Sequence, residues 1–277
     1  MAEYDQKTLR RLQLTLLDMV KDIDEVCRKN NINYYIAYGS TLGAVRHQGF
    51  IPWDDDIDVL MPRPDYDKLL EFNADYICGK KMYEIKHWKN GKSNYPFIKI
   101  VDPDTYVKTE YINEKAEVQQ IWIDIFPLDG NPEDIRSANK LYKRVKIYKR
   151  VLTLKLAKIG VGSTWYIKVI KPLVILLLQV IPTNYLCSKM DSISKTYSYE
   201  NTNKAGGVVW GYGIKEYMDK SIFCEQTKML FHKNYYPVPN GYQEYLTRIY
   251  GDYMVLPSEE ERNSHHIDAY VKGKENG

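Results

Sequence analysis

Four aspartates crowd into five residues, Asp54-Asp55-Asp56-Ile57-Asp58, and the apolar run Val59-Leu60-Met61 follows at once. Like charges this close repel, so a fold that contains them must supply water or a counter-charge. Trp53 before the cluster and the apolar run after it predict a buried strand over 57–61, which argues against a solvated acidic turn. Side chains alternate faces along a strand, so Asp56 and Asp58 point one way while Ile57 and Val59 point into the core. Asp54 shares the parity of the pair. Asp55 falls on the other face, as a structural or arginine-pairing residue. A calcium loop starting at Asp54 would need glycine and glutamate where Val59 and Asp65 stand, so that reading is excluded.

Two carboxylates on one strand face can share a hard divalent cation such as Mg²⁺ or Mn²⁺. A third carboxylate from a neighbouring strand would complete the clamp. Asp124 fits, because it interrupts the apolar run 121–126 (IWIDIF) with Ile123 and Ile125 facing away from it. Lys99 is charged inside the apolar strand FIKI. It either balances the metal carboxylates or touches the substrate, the alternative being a plain surface lysine.

Around this cluster the pattern predicts a mixed α/β first half. A helix spans 8–30, with Leu9, Leu12, Leu16, Val20, Ile23 and Cys27 at three- and four-residue spacing. A strand over 34–38 leads to a Gly39-Ser40 turn, with Ser40 as N-cap of a helix over 41–47. A helix over 65–74 and strands over 82–87, 96–101, 105–110 and 121–126 follow. From 131 to about 199 the chain reads as helix, broken at Pro172 and Pro182. A hairpin over 223–236 and a helix over 241–250, stopped by Gly251, complete it. The expected fold class is α+β: a mixed β-sheet flanked by helices, with a helix-rich C-terminal half. The expected division is a catalytic core over 1–130, a helical region over 131–266 and a disordered tail over 267–277.

At 277 residues, with 27% charged and 44% hydrophobic side chains, the chain can bury a core and is not broadly disordered. Four scattered cysteines show no zinc or CxxC spacing, which fits a reducing cytoplasm. The N-terminus carries no signal-peptide core. The longest apolar run, 173–181 (LVILLLQVI), falls short of the roughly 20 residues that span a bilayer. Residues 135–190 hold twelve Lys or Arg and no Asp or Glu, which leaves the rest of a +3 chain at −9. Such a block either lies peripherally on an anionic membrane surface at its cytoplasmic face or is a helical subdomain with solvated lysines.

The string YGSTLGAVRHQGFIPWDDDIDVLMPRPDY over 38–66 resembles the LicD family, the bacterial phosphocholine transferases that also resemble the fukutin group. Gly39-Ser40 followed by Asp56-Ile57-Asp58-Val59 resembles the nucleotidyltransferase superfamily fold. IDIFPLDG over 123–130, the segment 237–257 and RNSHH over 262–266 are similar to further family motifs, so the resemblance covers 9–266. Phe231-His232-Lys233 departs from the family's Phe-Glu-Gly.

The resemblance implies transfer of a phospho-substituent from a CDP-activated donor, CDP-choline for the best-known members, to a sugar hydroxyl of lipopolysaccharide, teichoic acid or capsule. CMP would leave. No nucleic acid is implied. Asp56, Asp58 and Asp124 would be catalytic and metal-binding, with Asp124 holding a second metal or taking the hydroxyl proton. Gly39 and Ser40 would approach the donor phosphates through backbone N–H groups at a helix N-terminus. Arg46 and Arg63 would bind phosphate or pair with Asp54 or Asp55. Lys99 would touch the donor or balance the carboxylates. His265 and His266 read as substrate contacts or as unremarkable tail residues, and Asp129 as a turn cap before Pro132 in preference to a metal ligand. Trp53, Trp122 and Trp210 read as core packing or as a cage for a quaternary ammonium.

Competing expectations are a nucleotidyltransferase moving NMP from an NTP, a DxD glycosyltransferase and a non-enzymatic scaffold. The glycosyltransferase is disfavoured, because its DxD normally follows a nucleotide-binding β-α-β unit.

Overall fold

A computed structural model describes residues 6–72, 75–109, 119–158, 165–258, 262 and 267–271. The first half runs α1 (Gln6–Lys29), β1 (Tyr35–Ile36), α2 (Tyr38–His47), β2 (Asp58–Pro62), α3 (Arg63–Phe72), β3 (Tyr76–Cys78), β4 (Met82–Lys86), β5 (Ile98–Val101), β6 (Thr105–Thr109) and β7 (Trp122–Asn131). Then come α4 (Ile135–Leu156), α5 (Trp165–Leu178), α6 (Thr183–Ser194), β8 (Lys204–Gly206), β9 (Met218–Asp219), β10 (Gln226–Phe231), β11 (Asn234–Pro239), α7 (Tyr242–Tyr250) and β12 (Ile267–Val271). The class is α+β.

The main sheet is ordered β1-β2-β7-β5-β4-β3, and β8 and β9 continue it from the far end of β7. β2 and β7 run parallel, while β1–β2, β7–β5, β5–β4 and β4–β3 are antiparallel. The central strands β2, β5 and β7 are largely buried on both faces, as expected for a sheet covered on both sides. On one face Val59, Met61, Ile123, Ile125, Ile98 and Ile100 pack with the apolar stripe of α1 and with the β10–β11 hairpin. On the other, Leu60, Phe97, Phe126 and Leu128 pack with α4, α6 and α7. The second face also carries the odd residues of the pattern, Asp58, Asp124 and Lys99.

Several boundaries differ from expectation for physical reasons. β1 is only two residues long because α2 already begins at Tyr38, which places Ser40 inside its first turn. Ala37, not Ser40, is the N-cap, and it offers no side-chain cap. β2 starts at Asp58, so Asp54–Ile57 precede the strand. Pro64 does not delay α3, which starts at Arg63, because a first-turn proline forfeits only an N–H that has no helical partner. Pro172 lies inside α5 rather than at its end. The break comes at 179–182, where Pro182 caps α6 and the axis turns by 79°. Residues 267–271, expected in a disordered tail, pair as β12 along β6. Among the described residues no single helix is long and apolar enough to cross a membrane.

Candidate active site

The site is a row across three neighbouring strands. Asp58 on β2 is in register with Asp124 on β7, and Asp124 is in register with Lys99 on β5. Residues opposite one another on paired strands present side chains to the same face, so the row is set by strand register and not by loop geometry. Lys99 is buried, and its Nζ donates to Asp124 Oδ1 at 2.9 Å. The same ammonium lies 4.3 Å from the Trp122 ring centroid, 5.0 Å from Tyr95 and 5.4 Å from Phe97. A cation in that position keeps a carboxylate-rich sheet face folded.

Asp58 binds its proton far more tightly than an ordinary carboxyl. Removal from bulk water is the larger cause, and the charges of Asp56, Asp124 and Asp54 add to it, with Lys99 opposing. Asp124 is thus brought beside Asp58 from a strand 66 residues further along the chain. Asp55 is buried.

α2 is tied to this row at its first turn. The Asp58 backbone N–H donates to Ser40 Oγ at 3.0 Å, and the Ala37 N–H donates to the Asp58 carbonyl at 2.8 Å. The Ser40 amide donates to the Ala37 carbonyl at 2.9 Å, so its hydroxyl and its N–H both serve the fold. A Cβ on Gly39 would meet Asp54 Oδ2 at 3.0 Å, so the close approach that glycine permits is to a carboxylate of the cluster. Tyr38 adopts φ +48°, an uncommon conformation for a bulky residue. It is held there by its hydroxyl donating to Glu216 at 2.8 Å and by the Tyr245 hydroxyl accepting from its N–H at 3.2 Å.

Glu216 is a residue the sequence reading passed over. It is buried and accepts from the Gly207 and Tyr212 N–H groups at 3.2 and 2.5 Å. Burial raises its pKa to about 7 against these bonds. Its signal was a lone acid closing a glycine-rich run, GGVVWGYGIKE.

The two arginines serve the fold elsewhere. Arg46 Nη1 donates to the Tyr253 and Val255 carbonyls at 2.8 and 3.4 Å, which pins the chain after α7 onto α2. Arg63 leaves the opposite end of β2 from the cluster. It is buried with Nε on Asp129 at 2.6 Å and Nη1 on Asp191 at 2.9 Å. The guanidinium is held charged by Asp129 and Asp191 against its desolvation. This corrects two expectations: Arg63 pairs with Asp129 and Asp191 in place of Asp54 or Asp55, and Asp129 is an ion-pair partner inside β7, not a turn cap.

The three tryptophans each carry a protein cation: Trp122 has Lys99, Trp210 has Lys149 at 4.2 Å and Trp53 has Arg262 at 4.8 Å. His265 and His266 lie outside the described residues.

Among the described residues no three acidic, histidine or cysteine side chains stand close enough to chelate one ion. The chemistry of the donor set still fits a hard divalent cation. Every candidate donor is a carboxylate oxygen, and burial first, then the charges of Asp56, Asp124 and Asp54, drive Asp58 toward protonation, the condition a cation would relieve.

Fold and site together define an α+β protein with an acidic centre on adjacent strands. The family model described as "LicD/FKTN/FKRP, nucleotidyltransferase domain" matches residues 31–165, which hold Asp58, Lys99 and Asp124 alike. The "Lipopolysaccharide cholinephosphotransferase LicD" of Haemophilus influenzae is 31% identical over 275 residues, covering 95% of this chain and 98% of that one. Two uncharacterized proteins of Rickettsia prowazekii and Rickettsia typhi are each 56% identical over 46 residues, 17% of this chain. The chain belongs to the LicD family, and it is a transferase of LicD type.

Proposed function

We propose that the chain transfers phosphocholine, or a closely related phospho-substituent, from a CDP-activated donor to a sugar hydroxyl of a surface glycan such as lipopolysaccharide, with release of CMP. The observation that carries this reading is the Asp58–Asp124–Lys99 row, an acidic centre with one buried cation. Full-length likeness to a protein named for cholinephosphate transfer in lipopolysaccharide supplies the donor group and the acceptor class.

Asp56, Asp58 and Asp124 would hold Mg²⁺ or Mn²⁺. When bound, such an ion supplies charge neutralisation for the donor diphosphate. The acceptor hydroxyl oxygen forms a bond to the phosphorus that bears choline, and the bond from that phosphorus to the oxygen bridging to CMP breaks. Alternatively Asp124, which accepts from Lys99, would take the hydroxyl proton. Ser40 fixes the Asp58 backbone, and Gly39 lets the head of α2 approach the cluster. Because the chemistry is positioning and electrostatics, rigid attachment of the row to the sheet is what the fold contributes.

A thermal-shift panel of CDP-choline, CDP-ribitol, CDP-glycerol and CTP with Mg²⁺ tests the donor. Stabilisation by a CDP-linked alcohol above that by CTP is expected. No shift with any cytidine nucleotide would sink the reading.

A further inference from the structure

α4, α5 and the loop 207–213 enclose a cavity of about 710 Å³ that the proposed transfer chemistry leaves unused. Lys143, Lys146, Lys149 and Arg150 of α4 line it with Lys171 of α5 and Trp210 of the loop. Lys143, Lys146 and Arg150 recur at three- and four-residue spacing, so one helix face presents all three, and all three are exposed. None of the described lining residues is acidic. Lys149 lies over the Trp210 ring at 4.2 Å and donates to the Gly211 carbonyl at 3.2 Å, which makes the loop a fixed wall. Glu216 holds the same loop from behind through Gly207 and Tyr212. Several cations facing one concavity repel each other unless an anion sits among them, and a concave, aromatic-floored basic site is more than a solvated helix face.

The loop also borders the acidic row. Trp210 packs on Tyr95 and Phe97 at 5.8 and 5.4 Å, the two rings that lie beneath the Lys99 ammonium. Tyr212 stacks against Tyr38 at 5.5 Å and feels the charges of Asp58 and Asp56. Trp210 and Tyr212 of the cavity wall therefore pack on the aromatic residues that stand next to the acidic row. A molecule that reaches across this wall must carry negative charge at one end and a reactive hydroxyl at the other. The geometry points to an anion subsite for the acceptor: the cavity takes a phosphate-bearing sugar of the acceptor glycan and so aims a neighbouring hydroxyl at Asp124. This assignment rests on the transferase reading given above. Phosphate is also present in the donor, so the experiment must tell the two sources apart.

The probe is a lipid-free, phosphorylated lipopolysaccharide core oligosaccharide, compared with the same oligosaccharide after removal of its phosphates. Binding to the full-length protein is followed by tryptophan fluorescence without donor, and transfer by CMP release from CDP-choline. Lys143→Glu/Lys146→Glu is the main variant. Lys143→Gln/Lys146→Gln removes charge without reversing it, and circular dichroism checks that both fold. Reversal of two exposed cations is expected to weaken oligosaccharide binding about tenfold, with a smaller effect for the glutamine pair. Dephosphorylation is expected to weaken wild-type binding similarly and to have little effect on the reversed variant. The acceptor KM should rise in parallel while the donor KM stays put. Equal binding by wild type and variants would overturn the assignment, as would a rise in donor KM with the oligosaccharide Kd unchanged. The expected binding pattern without any CMP release would keep the subsite and reject the transferase reading.

Discussion

Replacing Arg63 with methionine tests whether this residue belongs to the fold or to the donor site. Its guanidinium joins β2 and α3 to β7 through Asp129 and to α6 through Asp191. The Arg63 and Asp129 side chains are 8% and 1% exposed, so Arg63→Met strands a carboxylate that water barely reaches. Removing one partner of a buried ion pair costs about 3–5 kcal/mol. With a urea dependence of about 3 kcal/mol per molar, the midpoint should fall by about 1–1.7 M. Arg63→Met/Asp129→Asn/Asp191→Asn removes the stranded charges and should recover much of the loss, because a buried pair is worth little relative to neutral packing. The donor KM of the folded Arg63→Met protein should change little. A urea midpoint unmoved by Arg63→Met, together with a large rise in donor KM, would refute the structural role and return Arg63 to the phosphate site.

Two further predictions follow from the head of α2 and the loop beside it. Gly39→Ala places a Cβ at 3.0 Å from Asp54 Oδ2, so the acidic cluster must shift by a few tenths of an ångström. Transfer should drop about tenfold or more for a stability loss of only about 1 kcal/mol, read by CMP release and urea melts. Glu216 has its folded pKa raised from 4.5 to about 7, so it favours the folded state below pH 4.5 and loses that contribution as pH rises through 7. The stability of wild type relative to Glu216→Gln should therefore fall by about 3 kcal/mol between these limits, and a difference independent of pH would contradict the assigned burial.

Local patterning carried much of the site. Alternation through Ile57–Val59 and 121–126 separates core from acid, and parallel pairing of β2 with β7 then sets Asp58 beside Asp124 without further help. Lys99 was legible as a charge inside an apolar strand, and its partner follows from the β5–β7 register. What stayed hidden depends on distant partners. Arg63 looks like a neighbour of the aspartates in sequence, but it leaves the other end of a five-residue strand and meets Asp129 and Asp191, which no local spacing announces. Ser40 has the composition of an N-cap, but contacts of Tyr38 with Glu216 and Tyr245 start the helix three residues earlier. Glu216 was missed because its role is to fill space that Gly207 and Gly211 leave open, a property of packing and not of pattern.

The most direct test of the central claim is CMP release from CDP-choline with Mg²⁺ and a lipopolysaccharide-derived acceptor, measured for wild type and Asp58→Asn, with pyrophosphate release from NTPs run alongside. The account predicts CMP release and phosphocholine on the acceptor for wild type, no pyrophosphate, and a fall of about a thousandfold or more in Asp58→Asn with the fold intact. Undiminished transfer by Asp58→Asn, or pyrophosphate release in place of CMP, would contradict it.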